Sequence, residues 1–389
     1  MAFHGVDFLN LDDELRPEER MVRDEVRRWV EEQVLPIIVP HYEAGTFPKE
    51  LVPRMAELGL LGANLDPKYG CAGLNAIAYG LINQELERGD SGLRSFVSVQ
   101  SGLVMWPIAE YGSEEQRNRW LPKMARGEAI GCFGLTEPDF GSNPEGMITR
   151  AEKRGSEYLL SGTKMWITNG TIADVALIWA KDDQGIIRGF LVEKGTPGFQ
   201  QIKVADKFSL RASDTGELVL QEVRIPERNL LPGTDGIKSP LRCLSQARYG
   251  IAWGAIGAAM ACYDRALTYA KQRVQFTRPI AGYQLVQQKL VEMLTEITKM
   301  QALTLRLGRL KDQGRISHVQ ISMGKRNNVS HALGIARVAR EILGANGIMY
   351  EHQIARHLCN LESVYTYEGT HDIHTLILGE HITGLSALT

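Results

Sequence analysis

Ala176-Leu177-Ile178-Trp179-Ala180 and Gly189-Phe190-Leu191-Val192, with the turn signal Asp182-Asp183-Gln184-Gly185 between them, are apolar runs of strand length. A further turn signal, Thr196-Pro197-Gly198, follows, and the same texture extends from about residue 129 to 232. On both sides the pattern changes to a helical one. Upstream, from about Asp12 to Gly127, Val22, Val26, Trp29 and Val30 recur at helical spacing, as do Leu51, Met55 and Leu58. Gly and Pro clusters such as Asp66-Pro67-Lys68-Tyr69-Gly70 punctuate these helices. Downstream of Pro232-Gly233-Thr234-Asp235-Gly236, long helical patterns cover roughly 241–275, 283–313 and 317–345, followed by a short helix, a loop and a last helix. The order is α, then β, then α. It predicts an α+β multidomain chain with a helical domain at 1–130, a middle β domain at 131–236 and a C-terminal helical domain at 237–389.

The 389 residues are 44% hydrophobic and 23% charged, enough for a large core and more than one compact domain usually holds. A formal net charge of -2 and the lack of a dense Lys/Arg cluster interleaved with aromatics argue against nucleic acid as a partner. Five widely spaced cysteines, Cys71, Cys132, Cys243, Cys262 and Cys359, form no CxxC pair; they fit reduced thiols and give a metal site little support. The start, Met1-Ala2-Phe3-His4-Gly5-Val6-Asp7, has neither a signal nor a transit pattern, and no uncharged apolar stretch reaches membrane-spanning length. The expectation is a soluble protein, cytoplasmic if the chain is complete.

Val364-Tyr365-Thr366-Tyr367-Glu368-Gly369-Thr370-His371-Asp372-Ile373-His374 sets one carboxylate among aromatic and apolar neighbours. Poor solvation raises a carboxyl pKa toward working pH, which suits a base that must take a weakly acidic proton. Glu368 is therefore a candidate base; the other reading is that it caps the following helix or pairs with a surface cation. Glu87 and Arg94 are seven residues apart, about two turns along one face if they share a helix. After Arg94 no charged residue occurs until Glu110, which suggests a buried helix with a guanidinium at its mouth. Such a cation needs an anion, either Glu87 or an acidic ligand.

Three other stretches could meet a ligand. The loop from Phe133 to Ser142 is rich in Gly, hydroxyls and acid, so that its amides and side chains could face a polar group or simply turn into the β domain. Lys164-Met165-Trp166-Ile167-Thr168-Asn169-Gly170 puts an indole beside a hydroxyl, suited to covering a flat aromatic ligand or to filling a core. Arg273, Phe276, Thr277 and Arg278 follow one long helix and Gly344-Ala345-Asn346-Gly347 closes another; both could meet phosphates, and both read equally as helix ends. With no GxGxxG or GxxxxGK[ST], a Rossmann turn and a P-loop are excluded.

Taken together, FGLTEPDFGSNP (133–144), KMWITNG (164–170), KFSLRAS (207–213), ARYGIAWG (247–254), RVQFTRPI (273–280), LGANG (343–347) and TYEGTHDIHTLILG (366–379) resemble the flavin-dependent acyl-CoA dehydrogenases over essentially the whole chain. ELERGDSGLRSFVSVQSGLV (85–104) is most similar to the branch of that family acting on glutaryl-CoA, in which an arginine at the position of Arg94 holds the distal carboxylate. The resemblance implies an N-terminal helical domain, a central β-barrel or sheet domain and a C-terminal four-helix bundle, assembled as a homotetramer. It implies FAD, with Phe133, Leu135, Thr136, Gly141 and Ser142 lining the flavin or the acyl-CoA and Trp166, Ile167 and Thr168 beside the isoalloxazine. Arg273, Phe276 and Gln284 would reach the adenine-diphosphate end of a neighbouring subunit's FAD, with Glu341, Leu343, Gly344 and Thr370 completing that site. Asp139, Phe140 and Asn143 depart from a loop that often reads NSGSDP, which bears on fine contacts to the flavin.

The activity implied is oxidative decarboxylation of glutaryl-CoA to crotonyl-CoA and carbon dioxide, with electrons passed to an electron-transfer flavoprotein. Glu368 would take the C2 proton, a hydride would pass from C3 to flavin N5, and Glu368 would return a proton to the dienolate left by decarboxylation. Arg94, Glu87, Ser95, Ser98, Ser142, Arg248, Tyr367 and Gly369 would hold the substrate. Presence of both Glu87 and Tyr367 favours decarboxylation in this resemblance. A dehydrogenase of short or branched monocarboxylic acyl-CoA, favoured if Glu87 fully satisfies Arg94, and a non-decarboxylating glutaryl-CoA dehydrogenase are the alternatives.

Overall fold

The computed structural model describes residues 3–387; Met1 and Ala2, on which part of the leader reading rests, lie outside the described residues. Seven helices open the chain: α1 (Pro17–Trp29), α2 (Leu35–Ala44), α3 (Val52–Glu57), α4 (Ala76–Gly89), α5 (Ser91–Ser98), α6 (Trp106–Tyr111) and α7 (Glu114–Ala125). Seven strands follow, β1 (Gly131–Gly134), β2 (Arg150–Arg154), β3 (Glu157–Thr168), β4 (Val175–Lys181), β5 (Ile187–Glu193), β6 (Phe199–Lys203) and β7 (Thr215–Pro226). The chain ends in α8 (Lys238–Gln272), a small hairpin of β8 (Val274–Gln275) and β9 (Arg278–Pro279), then α9 (Gln284–Asp312), α10 (His318–Ile342), α11 (Ile354–Thr366) and α12 (His371–Thr383). Helical ends around a central sheet match the α, β, α expectation. Among the described residues no helix is long and apolar enough to cross a membrane, and no group of His, Cys, Asp or Glu could hold a metal ion.

The sheet runs β1-β4-β2-β3-β7-β6, with β5 added to β4, and mixes parallel with antiparallel pairs. β4 and β5, the runs that set the reading of the middle of the chain, pair antiparallel from Val175↔Glu193 to Lys181↔Ile187. β4 is buried on both faces except at Lys181, which explains its continuous apolar sequence. In β3 the register with β7 shifts between Lys164 and Ile167, and the bulge turns Trp166 outward with φ +63°.

Helix α4 is buried along its whole length, against α8 on one side. Glycine makes that approach possible: a Cβ on Gly257 would lie 1.8 Å from the Gln84 carbonyl oxygen, and one on Gly254 would lie 2.0 Å from Glu87 Oε2. The ARYGIAWGAIG segment of α8 thus admits both a neighbouring backbone and a buried carboxylate. Helices α8, α9, α10 and α11 form the C-terminal bundle around Ile256, Ala259, Met293, Ile297, Val329, Ala336 and Leu361.

Glu87 and Arg94 do not share one helix. Asp90, extended at φ -163° and ψ 141°, ends α4 and caps α5 by accepting from the Gly92 amide at 2.6 Å. Its other carboxylate oxygen accepts from Arg356 and, at 2.9 Å, from Asn360 on α11. The expectation of one continuous face fails because a short polar residue offered the backbone a cap, and a guanidinium from the C-terminal bundle held it there.

Candidate active site

The break at Asp90 folds α5 back so that Arg94 meets Glu87 across the kink, Nε donating to Oε2 at 2.6 Å. Both side chains are completely buried, and Arg94 lies in the first turn of the wholly buried α5. Its Nη2 donates to the Tyr367 hydroxyl, which also lies 3.3 Å from Ser95 Oγ. Nη1 has no partner. Burial of an arginine with one free nitrogen costs free energy that an anionic acceptor would recover. The Glu87 carboxylate nevertheless outweighs burial and holds Arg94 above its ordinary pKa, so it stays cationic.

Glu368 faces the same space from the turn between α11 and α12. It adopts the left-handed region at φ +53°, which a non-glycine residue enters only when its surroundings impose it. The surroundings here are specific. Arg248 on α8 donates from Nε to the Glu368 carbonyl at 2.7 Å, and the next residue, Gly369, has φ +95°. A Cβ on Gly369 would stand 2.8 Å from His374 Nε2 and 3.3 Å from Arg248 Nη2, so only glycine fits. The cap of α12 is Thr370, whose hydroxyl accepts from the Ile373 amide at 3.1 Å; this leaves Glu368 free of the capping role. Nor is it a surface ion pair: its Oε2 is buried and unpartnered. Burial raises its pKa above the ordinary carboxylate value, and the cations of Arg94, Arg248 and Lys325 offset this only in part.

Two more polar atoms in this space lack partners, Ser98 Oγ and the Tyr79 hydroxyl. Tyr79 lies on α4 and is buried; its hydroxyl feels the charges of Arg94 and Glu368 and has Ser98 of α5 as a neighbour. A cluster of unpartnered buried donors and acceptors around one carboxylate has the character of a site awaiting a polar ligand. Tyr79, Lys325 and His374 were not singled out by sequence reading. Tyr79 lies at helical spacing from Asn83 and Glu87, and that spacing was the available signal.

The expected flavin-facing residues lie on the sheet side. Trp166 is 60% exposed, which removes the core-filling reading of that indole. Thr136 and Thr168 are partly buried, while Gly141 and Ser142 are exposed. Phe133, Leu135 and Ile167 have their side chains in the core, Phe133 edge-on to Trp179 at 5.9 Å, so that only their backbone can face a ligand. Beneath the 133–142 loop a buried pair that sequence reading missed, Glu137 and Lys164, closes at 2.8 Å. Glu137 also accepts from the Ile148 and Thr149 amides at 2.7 and 3.0 Å, and Lys164 donates to the Leu135 carbonyl at 3.1 Å. The pair fixes the loop that carries Thr136 and Ser142. Burial brings Lys164 down to about 8 despite its partner.

An outward-facing indole, with Thr168 two residues on and Thr136 beside it through the Met165 amide at 2.8 Å, suits a flat, hydrogen-bonding ring system, and the residues present fit an isoalloxazine. Arg273, Phe276 and Gln284 are exposed, Phe276 by 88%, on and after the hairpin that follows α8. Glu341 pairs with Lys289 at 2.9 Å, and Leu343 and Gly344 end α10 nearby in sequence. Along α8, Arg248 and Gln272 are about 36 Å apart at the helical rise per residue. The structure therefore places the expected residues in three groups, one around Glu368 and Thr370, one on the sheet side from Phe133 to Thr168, and one at the far end of the bundle.

Three family models match the chain in order: acyl-CoA dehydrogenase N-terminal domain over residues 16–128, middle domain over 132–223 and C-terminal domain over 234–383. A crystal structure of glutaryl-CoA dehydrogenase from Mycobacterium smegmatis is 53% identical, covers 98% of this chain and 99% of its own, and superposes with a TM-score of 0.97. A second structure of a glutaryl-CoA dehydrogenase from that organism, in complex with FADH2, is 50% identical with 99% of both chains covered and the same TM-score of 0.97. The short-chain specific acyl-CoA dehydrogenase of Bos taurus mitochondria is 35% identical over 375 residues, 95% of this chain and 91% of the relative. With three domain models in the expected order and a buried carboxylate at the centre of the helical layers, the chain belongs to the acyl-CoA dehydrogenase family.

Proposed function

We propose that this FAD-dependent enzyme oxidises and decarboxylates glutaryl-CoA to crotonyl-CoA and carbon dioxide. One observation carries the substrate choice. Arg94 gives Nε to Glu87 and Nη2 to Tyr367 but keeps Nη1 unpartnered, in the same buried space as the free Oε2 of Glu368. Glu87 does not satisfy the guanidinium, and a monocarboxylic acyl chain would leave that nitrogen bare. A five-carbon diacid thioester supplies the missing acceptor at its distal end.

In this reading Arg94, with Ser95, Ser98 and Tyr367 around it, orients the distal carboxylate, and Arg248 and Gly369 shape the turn under the thioester. The Glu368 amide donates to the thioester carbonyl as negative charge develops there. The Glu368 carboxylate takes the C2 proton, its raised pKa bringing it closer to that weak acid. FAD, when bound against Trp166 with Thr136, Ser142 and Thr168 at its polar edge, supplies the acceptor for the C3 hydride. The unsaturated product then loses its distal carboxylate as carbon dioxide, leaving the bonding electrons in a dienolate. Protonated Glu368 returns its proton to that dienolate, which restores the base. Glu87 draws on part of the charge of Arg94, and the weaker hold on the substrate carboxylate lets carbon dioxide leave.

The third group, Arg273, Phe276, Gln284, Glu341, Leu343 and Gly344, is too far along α8 to share the Glu368 pocket of one chain. We assign it to the adenine-diphosphate end of a neighbouring subunit's FAD, in a cytoplasmic homotetramer that hands electrons to an electron-transfer flavoprotein. Domain limits at 130/131 and 236/237 belong to the same reading. Anaerobic mixing with carboxyl-labelled glutaryl-CoA or with butyryl-CoA, following flavin absorbance and released carbon dioxide together, tests it. Faster bleaching by glutaryl-CoA with stoichiometric carbon dioxide is expected. A preference for butyryl-CoA would sink the diacid assignment, and bleaching without carbon dioxide would sink decarboxylation alone.

A further inference from the structure

Lys325 lies on α10 with 1% of its surface exposed. No carboxylate pairs with it among the described residues; its ammonium donates to the Gly369 carbonyl at 2.9 Å and reaches the Tyr365 carbonyl at 3.4 Å. Those two carbonyls bracket Glu368. A buried ammonium held only by carbonyls is costly, and it persists where the fold or the chemistry needs the charge. We propose that Lys325 is the positioning residue of the base: it clamps the Tyr365–Gly369 turn in the left-handed conformation and sets its cation beside the Glu368 carboxylate. The inference rests on Glu368 being the base.

The cation answers a conflict in the mechanism. Desolvation favours the protonated form of Glu368, which cannot take the C2 proton; a nearby ammonium stabilises the ionised form without donating a hydrogen bond to it. The same ammonium makes protonated Glu368 a stronger acid when it must quench the dienolate. Lys325 is brought down by burial to about 7, with Glu368 drawing it up and Arg248 and Arg94 pushing it down. The other groups facing this turn are Tyr79 and Glu87 on α4, Arg94 on α5, Arg248 on α8, Tyr367 at the end of α11, and His371 and His374 on α12. His374 is held near 3 by burial and stays neutral, so it does not substitute for the cation. The active protonation state pairs ionised Glu368 with charged Lys325, and the pair titrates as a unit.

The test uses Lys325→Met in the FAD-loaded enzyme, with kcat and KM measured across pH. The expected result is a kcat lower by about 10- to 100-fold at an unchanged KM, with the acid limb of kcat/KM moved to higher pH. The alkaline limb contributed by Lys325 should be lost as well. Lys325→Arg keeps the charge and should retain the wild-type acid limb. Should Lys325→Met not fold, Lys325→Gln can still donate to the Gly369 carbonyl without charge and is expected to show the same displaced acid limb. A neutral variant whose acid limb coincides with that of the wild type overturns the inference, whatever its kcat. Glu368→Gln, run in parallel, separates the two readings. If it retains near-normal turnover, the base assignment fails; if it is inactive while Lys325→Met keeps the wild-type limb, only the role of Lys325 fails.

Discussion

Beneath α1, Glu85 is completely buried, yet it accepts from Arg27 at 2.8 Å and from Arg88 at 2.7 Å. Arg88 in turn donates to Glu31 at 2.5 Å and to the Arg27 carbonyl at 3.2 Å, and its guanidinium lies over the Phe3 ring. The pocket around Glu368 also holds buried charge, but Glu368 Oε2, Arg94 Nη1, Ser98 Oγ and the Tyr79 hydroxyl have no partners. The two carboxylates consequently titrate in opposite directions. Burial pushes Glu85 up, and the charges of Arg27 and Arg88 overcome it, so its carboxyl falls below the ordinary value. For Glu368 burial wins. Depth is the same in kind; the number of donors on the oxygens decides whether a buried carboxylate cements helices or waits for a proton.

Replacing the waiting carboxylate should have the largest effect. Glu368→Gln is expected to lower flavin reduction by acyl-CoA by about 10³-fold or more with FAD retained, as read by anaerobic stopped flow. Near-normal reduction would refute the base assignment. Because the change also removes a desolvated charge, the thermal midpoint of this variant should rise above that of the wild type. Arg88→Met attacks the other region. It removes the donor to Glu85 Oε2, leaving Arg27 as the one guanidinium on that carboxylate, and should cost about 3–5 kcal/mol of stability, read in urea unfolding, while turnover per folded molecule stays unchanged.

A smaller effect should come from replacing the specificity pair as a pair. Arg94→Met with Glu87→Gln avoids leaving one charge stranded and is expected to lower kcat/KM for glutaryl-CoA by about 10²-fold, with butyryl-CoA much less affected. Equal losses on both substrates would assign Arg94 a structural role like that of Arg88.

The gentlest probe is pH. Glu85 has a depressed pKa, so its stabilisation is present above the unfolded carboxylate value of 4.5 and is lost as pH falls through its folded value. Glu368 has a raised pKa, so its contribution is present below 4.5 and is lost as pH rises through its folded value. Thermal midpoints of Glu85→Gln and Glu368→Gln against pH should therefore diverge from the wild type on opposite sides. Activity should fall on the acid side at a pH above the ordinary carboxylate range, since the base must be ionised.

Much of this contrast was legible in the chain, and part of it was not. The β4 and β5 runs, the long helices α8 to α10 and the turn at Glu368 follow from periodicity and turn chemistry, which are local. Glu87 and Arg94 were legible as a pair, but the helix between them was not: the break at Asp90 depends on Arg356 and Asn360, the latter 270 residues away. Trp166 was ambiguous between core and surface until the β3 bulge turned it outward. Lys325 and Lys164 read as ordinary helix and strand lysines, because nothing adjacent to a lysine announces that its ammonium will be buried.

The sequence by itself determined the α, β, α order, the family to which the motifs belong and the presence of one carboxylate between apolar neighbours and a helix cap. Tertiary structure alone decided what that carboxylate can do. Tyr367 meets Arg94 across 273 residues of chain, and Arg248 holds the Glu368 carbonyl across 120. The pKa of a buried acid is set by the water excluded from it and by the few charges that replace that water. Both are properties of packed surfaces, which no local run of residues contains.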